Sequence, residues 1–103
     1  MTDTTREFFE GLAGRIDPAR IDGVTASYRF DIAGAGSWRV EVADSVATVT
    51  ETNEGGDCVI RMKDEVFGKL RRGQQNPMTG FMTGKIKVDG DMSLALKLKD
   101  LFL

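Results

Sequence analysis

The amino-acid sequence predicts an α+β fold in a single domain over residues 1–103. Apolar residues recur at helical spacing near the start of the chain, alternate with polar residues through the next stretch, and return to helical spacing in the second half. A chain of 103 residues has the length of one compact domain. It has no internal repeat and no low-complexity linker at which a domain boundary would fall.

The first predicted element is a helix that begins near Thr4. Thr4 and Glu7 have the spacing of a capping box, and Asp17-Pro18 ends the helix. One face carries apolar residues at helical spacing, namely Phe8, Phe9, Leu12, Ala13 and Ile16. The opposite face lacks the basic residues of a membrane-surface helix, so we expect this helix to pack or dock on protein.

Three strands follow and form an antiparallel meander. Apolar and polar residues alternate from Val24 to Ile32, which is typical of a half-buried strand. Gly34-Ala35-Gly36 predicts a turn, and the alternation resumes from Trp38 to Val42 on the return strand. A second turn leads to a third strand over Val46–Glu51.

The second half alternates between strands and helices. Residues 58–62 predict a fourth strand, and Asp64 is expected to cap a helix that stops at Gly73. Asn76-Pro77 has the residues of a helix start and predicts a short helix. A fifth strand is expected over residues 85–89, and Asp91 opens a final helix.

Composition excludes several classes of function. Fourteen basic and sixteen acidic residues give a net charge of −2, which argues against a nucleic-acid partner. The apolar stretches are too short to cross a bilayer. The single cysteine cannot form an intramolecular disulfide, so we expect a reducing, cytoplasmic location.

Residues 1–60 carry five basic and eleven acidic side chains, whereas residues 61–103 carry nine basic and five acidic side chains. This asymmetry predicts two solvated faces, with attraction to anionic ligands or lipid surfaces as the alternative.

No motif in the sequence predicts an enzyme. The chain has no histidine, which removes the commonest general base and metal ligand. Residues 80–85 fail the spacing of a phosphate-binding loop, and residues 89–100 lack the glycine of a calcium loop. Cys58 alternates with Ile60 and Met62 and is interpreted as a core thiol. We therefore expect no catalytic residues, no metal and no cofactor.

The helices of the second half carry more apolar surface than one core requires. On the final helix the apolar arc covers roughly 220°, against about 100° or more on an ordinary surface helix. Methionines 62, 78, 82 and 92 also lie in this half, with Phe67 and Phe81. Two interpretations stay open at this point: a methionine-rich core with dimer contacts, or a cavity that accepts apolar ligands.

A run of residues in the last 47 positions resembles the sterol carrier protein type 2 family. The matching segments are Asp57–Met62, Asn76-Pro77, Gly84–Asp91 and Ala95–Leu98, with a looser match in the first half through Tyr28–Phe30 and Trp38–Val40. The resemblance implies a five-stranded mixed, largely antiparallel sheet with helices packed on one face and an apolar tunnel between them. It also implies binding of a fatty acid, fatty acyl-CoA, sterol-like lipid or phospholipid without chemistry.

The implied tunnel allows its wall to be assigned to inward-facing apolar positions. The lipid-binding residues expected are Phe30, Trp38, Met62, Met78, Phe81, Met82, Ile86, Leu94, Leu98 and Phe102. Arg15 and Arg20 flank the turn after the first helix and are candidates for holding a charged head group. The alternative for both arginines is pairing with Asp17, Asp22 or solvent.

The expected partner is a small-molecule lipid, with transient contact to a membrane or an enzyme and no nucleic acid. Peroxisomal relatives end in a serine- or alanine-lysine-leucine signal, whereas this chain ends in Leu101-Phe102-Leu103, which again favours the cytoplasm. The competing hypothesis is an interaction module that forms a homodimer or delivers substrate to a partner enzyme.

Overall fold

A computed structural model describes residues 4–17, 19, 21–95 and 97 of the chain. The described part contains three helices and five strands. In chain order they are α1 (Thr4–Arg15), β1 (Ala26–Ala33), β2 (Gly36–Ala43), β3 (Val46–Glu51), β4 (Cys58–Lys63), α2 (Asp64–Arg71), α3 (Pro77–Met82) and β5 (Ile86–Gly90). Residues 92–95 form a further helical turn after β5. Each element was predicted from the spacing of its apolar residues or from the turn and cap residues that precede it.

The five strands form one mixed sheet in the order β3-β2-β1-β4-β5. β1 pairs in parallel with β4, and the other three pairs of neighbours are antiparallel. Gly34 closes the first hairpin with a φ of +94°, a conformation that L-residues with a side chain rarely adopt. This topology confirms the predicted α+β fold with a largely antiparallel sheet.

The core lies between one face of the sheet and the helices. Alternate residues of β1, β2 and β4 are buried on that face, and α1 covers them with Phe9, Leu12 and Ile16. The other face of the sheet carries charged side chains, among which Arg29 and Arg39 pair with Asp31 and Glu41 of their own strands. The helices therefore pack on one face, as expected.

Three local predictions need correction or lie outside the described structure. Ala13 is exposed rather than part of the buried stripe of α1, because the stripe runs through Thr5 and Phe9 instead. Asp64 does not cap α2: the N-cap residue is Lys63, and the Asp64 carboxylate accepts a hydrogen bond from the hydroxyl of Thr5. The side chain of Thr4, and with it the capping box, lies outside what the structure describes.

The predicted start of α3 is confirmed. The Asn76 side chain accepts hydrogen bonds from the backbone N–H groups of Met78 at 2.8 Å and Thr79 at 3.2 Å. Pro77 occupies the first turn, where its missing N–H costs nothing. Asp91 makes a similar contact, accepting from the backbone N–H of Ser93 at 2.9 Å, and it opens the last helical turn as predicted.

Candidate functional site

An aromatic cluster fills the space between α1 and the middle of the sheet. The ring of Phe9 stacks on Trp38 with centroids 4.6 Å apart, and it stacks on Phe67 of α2 at 5.4 Å. Phe30 lies 5.4 Å from the same ring at a tilt. Two of the residues predicted to contact lipid, Phe30 and Trp38, are thus packed against protein rings and are 7% and 2% exposed.

A second group of the predicted residues lies toward the β5 edge of the sheet. Met62 and Ile86 are paired neighbours on β4 and β5, and both are buried. α3 lies directly on Ile86, because Gly80 faces this side chain: a Cβ atom at Gly80 would be 2.6 Å from the Ile86 Cδ1 atom. The missing side chain therefore sets how closely α3 approaches the sheet.

The opposite side of α3 is apolar and exposed. Met78, Phe81 and Met82 are 57%, 41% and 77% exposed. At 100° per residue these three positions share one side of the helix, and Gly80 lies on the other side. α3 thus presents large apolar side chains away from β5, which is unusual for a helix that packs only on its own domain.

Tyr28 anchors the segment that follows β5. Its side chain is fully buried, and the hydroxyl donates a 2.8 Å hydrogen bond to the backbone carbonyl of Leu94. Burial raises the pKa of Tyr28 to about 12, with smaller contributions from Cys58 and Asp91. Leu94, a predicted wall residue, is held against β1 by this bond. Sequence reasoning assigned Tyr28 only to the apolar face of β1, because alternation does not reveal where a hydroxyl group points.

Cys58 lies beside Tyr28 on the neighbouring strand and is fully buried, which confirms its interpretation as a core thiol. Burial, and less strongly the charge of Asp91, raises the pKa of the thiol to about 11. A thiol with so high a pKa carries little thiolate near neutral pH and is a weak nucleophile.

Arg15, one of the two head-group candidates, folds back along α1. Its guanidinium donates a hydrogen bond to the carbonyl of Phe8 and lies 4.6 Å from the centre of the Phe8 ring. Arg20, Leu98 and Phe102 lie outside the described residues, so their positions stay predictions.

A cleft of about 840 Å³ opens at one end of the sheet, beside the start of α2. Its walls include the β1–β2 hairpin, the end of β4 and the turn between α3 and β5. Basic side chains of β4, β5 and α2 line it. Sequence reasoning did not find this cleft, although the positive charge of residues 61–103 was a signal for it.

The described residues contain no group of three Cys, Asp or Glu side chains placed to hold a metal ion. Within the same ranges, none of the helices has the length and apolar character needed to cross a membrane.

The sheet order and the placement of the helices define a sterol-carrier-type fold. The chain belongs to the SCP-2 sterol transfer family, whose family model matches residues 9–103. The resemblance seen in the sequence is therefore confirmed.

Individual relatives are similar over most of the chain. Hydroxysteroid dehydrogenase-like protein 2 of Danio rerio is 33% identical over 97 residues, which cover 90% of this chain and 23% of that protein. The solution structure of the sterol carrier protein domain 2 of Helicoverpa armigera is 28% identical, with a TM-score of 0.74, and the match covers 91% of this chain and 81% of that one.

A sterol carrier protein-2 from Aedes aegypti, solved in complex with the C16 fatty acid palmitate, has a TM-score of 0.73 at 23% identity. The match covers 98% of this chain and 99% of that one. The chain spans less than a quarter of the length of the first curated relatives that it matches.

Proposed function

We propose that this chain, as one domain over residues 1–103, binds and carries a lipid in an apolar tunnel between the sheet and the helices, without chemistry of its own. The ligand class is a fatty acid, fatty acyl-CoA, sterol-like lipid or phospholipid. Membership of the SCP-2 sterol transfer family supports this function. The palmitate complex of the mosquito protein with the same fold supports an acyl chain as one ligand.

The observation that carries the proposal is the distribution of exposed apolar side chains. Five large apolar residues are exposed in the described part of the chain, and four of them lie between residues 78 and 92. Single exposed apolar residues scattered over a surface need no explanation. A concentration of them on α3 and on the helical turn after β5 is typical of a binding surface. This is also the half of the chain in which the sequence carries an apolar excess.

We propose that the buried and the exposed groups form two parts of one lipid site. The inner part comprises Phe30, Trp38, Met62, Ile86 and Leu94, which face the core. The outer part comprises Met78, Phe81 and Met82 on α3, with Leu98 and Phe102 proposed to complete the wall. Methionine suits such a wall because its flexible side chain adapts to apolar ligands of different shape.

The energetics permit useful affinity. Burial of an acyl chain yields about 0.8 kcal/mol per methylene, so a long chain has roughly 10 kcal/mol available before losses. Association and ordering cost several kcal/mol, which leaves dissociation constants of about micromolar.

Titration with a fluorescent fatty acid tests the proposal with a matched pair of variants. Met82→Gln places an amide on the apolar face of α3 and is expected to weaken binding by about threefold to tenfold. Val46→Gln makes a comparable change at an exposed position on β3 and is expected to leave the affinity unchanged. Neither change alters a buried side chain, so both thermal midpoints are expected to stay near that of the parent chain. Absence of saturable binding at tens of micromolar protein would contradict the proposal.

A charged head group is proposed to lie near Arg15 and Arg20. Arg20→Ala is expected to weaken the binding of a fatty acid by roughly 1–3 kcal/mol, the range for hydrogen bonds to charged groups. The binding of a neutral alcohol of similar length is expected to stay unchanged. Equal losses for the two ligands would mean that the arginine shapes the loop and does not hold the head group.

The second candidate is an interaction module that docks on, or delivers substrate to, a partner enzyme. It is favoured by the match of this chain to 23% of a hydroxysteroid dehydrogenase-like protein. Solvent extraction of freshly purified protein followed by mass spectrometry separates the two candidates. Lipid in near-stoichiometric amount supports the lipid carrier. A lipid-free protein whose molar mass by light scattering is that of a tight homodimer supports the interaction module.

We also propose a reducing compartment such as the cytoplasm, supported by the buried free thiol of Cys58. Contact with a membrane or an enzyme is proposed as transient, and no nucleic-acid partner is proposed.

A further inference from the structure

The cleft at the end of the sheet is lined partly by the core residues Ile32 and Met62, and it also carries a concentration of basic side chains. It is bounded by the glycine turn of the β1–β2 hairpin, the first turns of α2 and the Thr83-Gly84 turn before β5. Five of its lining residues are basic, and two are acidic. A concave site with this excess of positive charge attracts anions.

The basic residues of β4 and β5 stand opposite one another. Arg61 is the direct partner of Lys87 in the antiparallel pair. Continuing the same register places Lys63 opposite Lys85. All four residues lie on the charged face of the sheet, because their neighbours Met62 and Ile86 point into the core. Like charges directly opposite on two strands destabilise a sheet, so this arrangement lowers stability unless an anion lies between them.

Only part of this charge is neutralised by the residues that the structure describes. Arg61 pairs with Asp31 at 3.4 Å and also with Asp89. Lys69 of α2 lies 3.5 Å from Glu65. Within the described ranges, Lys63, Lys85 and Lys87 form no salt bridge. Among the residues that the structure describes, these three ammonium groups at the cleft have no acidic partner and are available to a ligand.

We propose that this cleft binds the phosphate groups of a ligand that carries two or more negative charges. Lysine is a common phosphate ligand because its ammonium group has three donors and a compact charge. A single carboxylate would balance only one of the three lysines, whereas a diphosphate or a phosphomonoester balances two or more. The cleft shares Met62 with the proposed acyl-chain site, but phosphate binding by its lysines does not depend on lipid binding, so the inference goes beyond the proposed lipid function.

Calorimetric titration with inorganic pyrophosphate tests the proposal. We expect saturable binding that weakens with added salt, and we expect Lys85→Gln to lower the affinity at least about threefold. The matched control is Lys97→Gln, which removes the same charge at an exposed position outside the cleft and should leave the affinity within about twofold. The thermal midpoint gives a second readout: Lys85→Gln should raise it without ligand, and pyrophosphate should raise it less in this variant than in the parent chain.

Flotation with phosphatidylcholine vesicles, with and without phosphatidic acid, distinguishes the two sources of phosphate. Vesicle binding that needs both phosphatidic acid and Lys85 assigns the site to a phospholipid head group. Pyrophosphate binding without vesicle binding assigns it to a soluble phosphate compound.

Two results would overturn the proposal. One is the absence of saturable pyrophosphate binding up to about 10 mM together with no Lys85-dependent vesicle binding. The other is an equal loss of affinity in the Lys97→Gln control, which would mean that general surface charge is being measured. Palmitate binding, measured on the same samples, tests the lipid function separately.

Discussion

Replacing Tyr28 with Phe removes one oxygen atom from the core and cuts the link between β1 and the segment after β5. The hydroxyl is buried and donates to the Leu94 carbonyl at 2.8 Å, a good hydrogen-bond length. Loss of such a bond costs about 0.5–1.5 kcal/mol, and a buried carbonyl left without its partner costs about 1–3 kcal/mol. We therefore expect Tyr28→Phe to lower the free energy of unfolding by about 1.5 kcal/mol. In a chain of 103 residues this corresponds to a thermal midpoint lower by about 6–12 °C.

The pH dependence of stability tests the burial of the same hydroxyl group. The pKa of Tyr28 is raised from 10.0 to about 12 in the folded chain, chiefly by burial. A raised folded-state pKa means that the stabilisation is complete below about pH 10 and is lost as the pH rises through about 12. Cys58 titrates in both proteins, whereas Tyr28 titrates in the parent chain only. The free energy of unfolding of the parent chain should therefore fall more steeply between about pH 10 and pH 12 than that of Tyr28→Phe.

The assay is direct because Tyr28 is the chain's one tyrosine. Its ionisation can be followed by ultraviolet absorbance in the native protein and in urea, alongside urea unfolding of both proteins. If Tyr28→Phe is as stable as the parent chain and the native phenol titrates near pH 10, as an exposed tyrosine does, Tyr28 is not a buried hydrogen-bond donor.

Three further predictions concern single contacts. Gly90→Ala should lower the free energy of unfolding by about 3 kcal/mol or more, because the new Cβ atom would lie 2.2 Å from the Asp57 carbonyl oxygen and the backbone has a φ of +94°. Gly84 has a φ of +79° but open space around it, so Gly84→Ala should lower the free energy by only about 1–2 kcal/mol. Urea unfolding of both variants measures the difference. Cys58 should react with a disulfide reagent at pH 8 only after unfolding, because burial raises its pKa to about 11; rapid reaction of the native protein would contradict this. Asn76→Ala should cost about 1 kcal/mol through loss of the α3 cap, whereas Asn76→Asp should retain most of the stability, and equal losses in the two variants would count against capping.

Much of the fold could be predicted because β1, β2 and β4 each bury one face only. The alternation of Tyr28, Phe30 and Ile32 fixed both the strand and its inward side, and the cap at Asn76 followed from its side chain and the next proline. The family resemblance implied a mixed sheet, but the parallel pairing of β1 with β4 was not predicted, since the alternation of apolar residues carries no information on which strands become neighbours.

The candidate site was less predictable, for physical reasons that differ between residues. Periodicity identified Met78, Phe81 and Met82 as one apolar side of a helix, but it could not show that Gly80 turns this side outward by docking on Ile86. The basic cleft depends on register between β4 and β5, so its lysines become neighbours only in three dimensions.

The parallel contact between β1 and β4 has a consequence for how the chain assembles. β1, β2 and β3 are joined by short turns, so this meander can form from local contacts. β4 must instead pair with residues of β1 that lie about 30 positions earlier in the chain. The entropy cost of closing this loop is met before the contacts between the two strands can offset it. A nascent chain that ends before Cys58 therefore leaves the backbone groups on one edge of β1 without a strand partner. Such an edge invites pairing with another chain, which makes the interval before β4 emerges the stage of synthesis most exposed to aggregation.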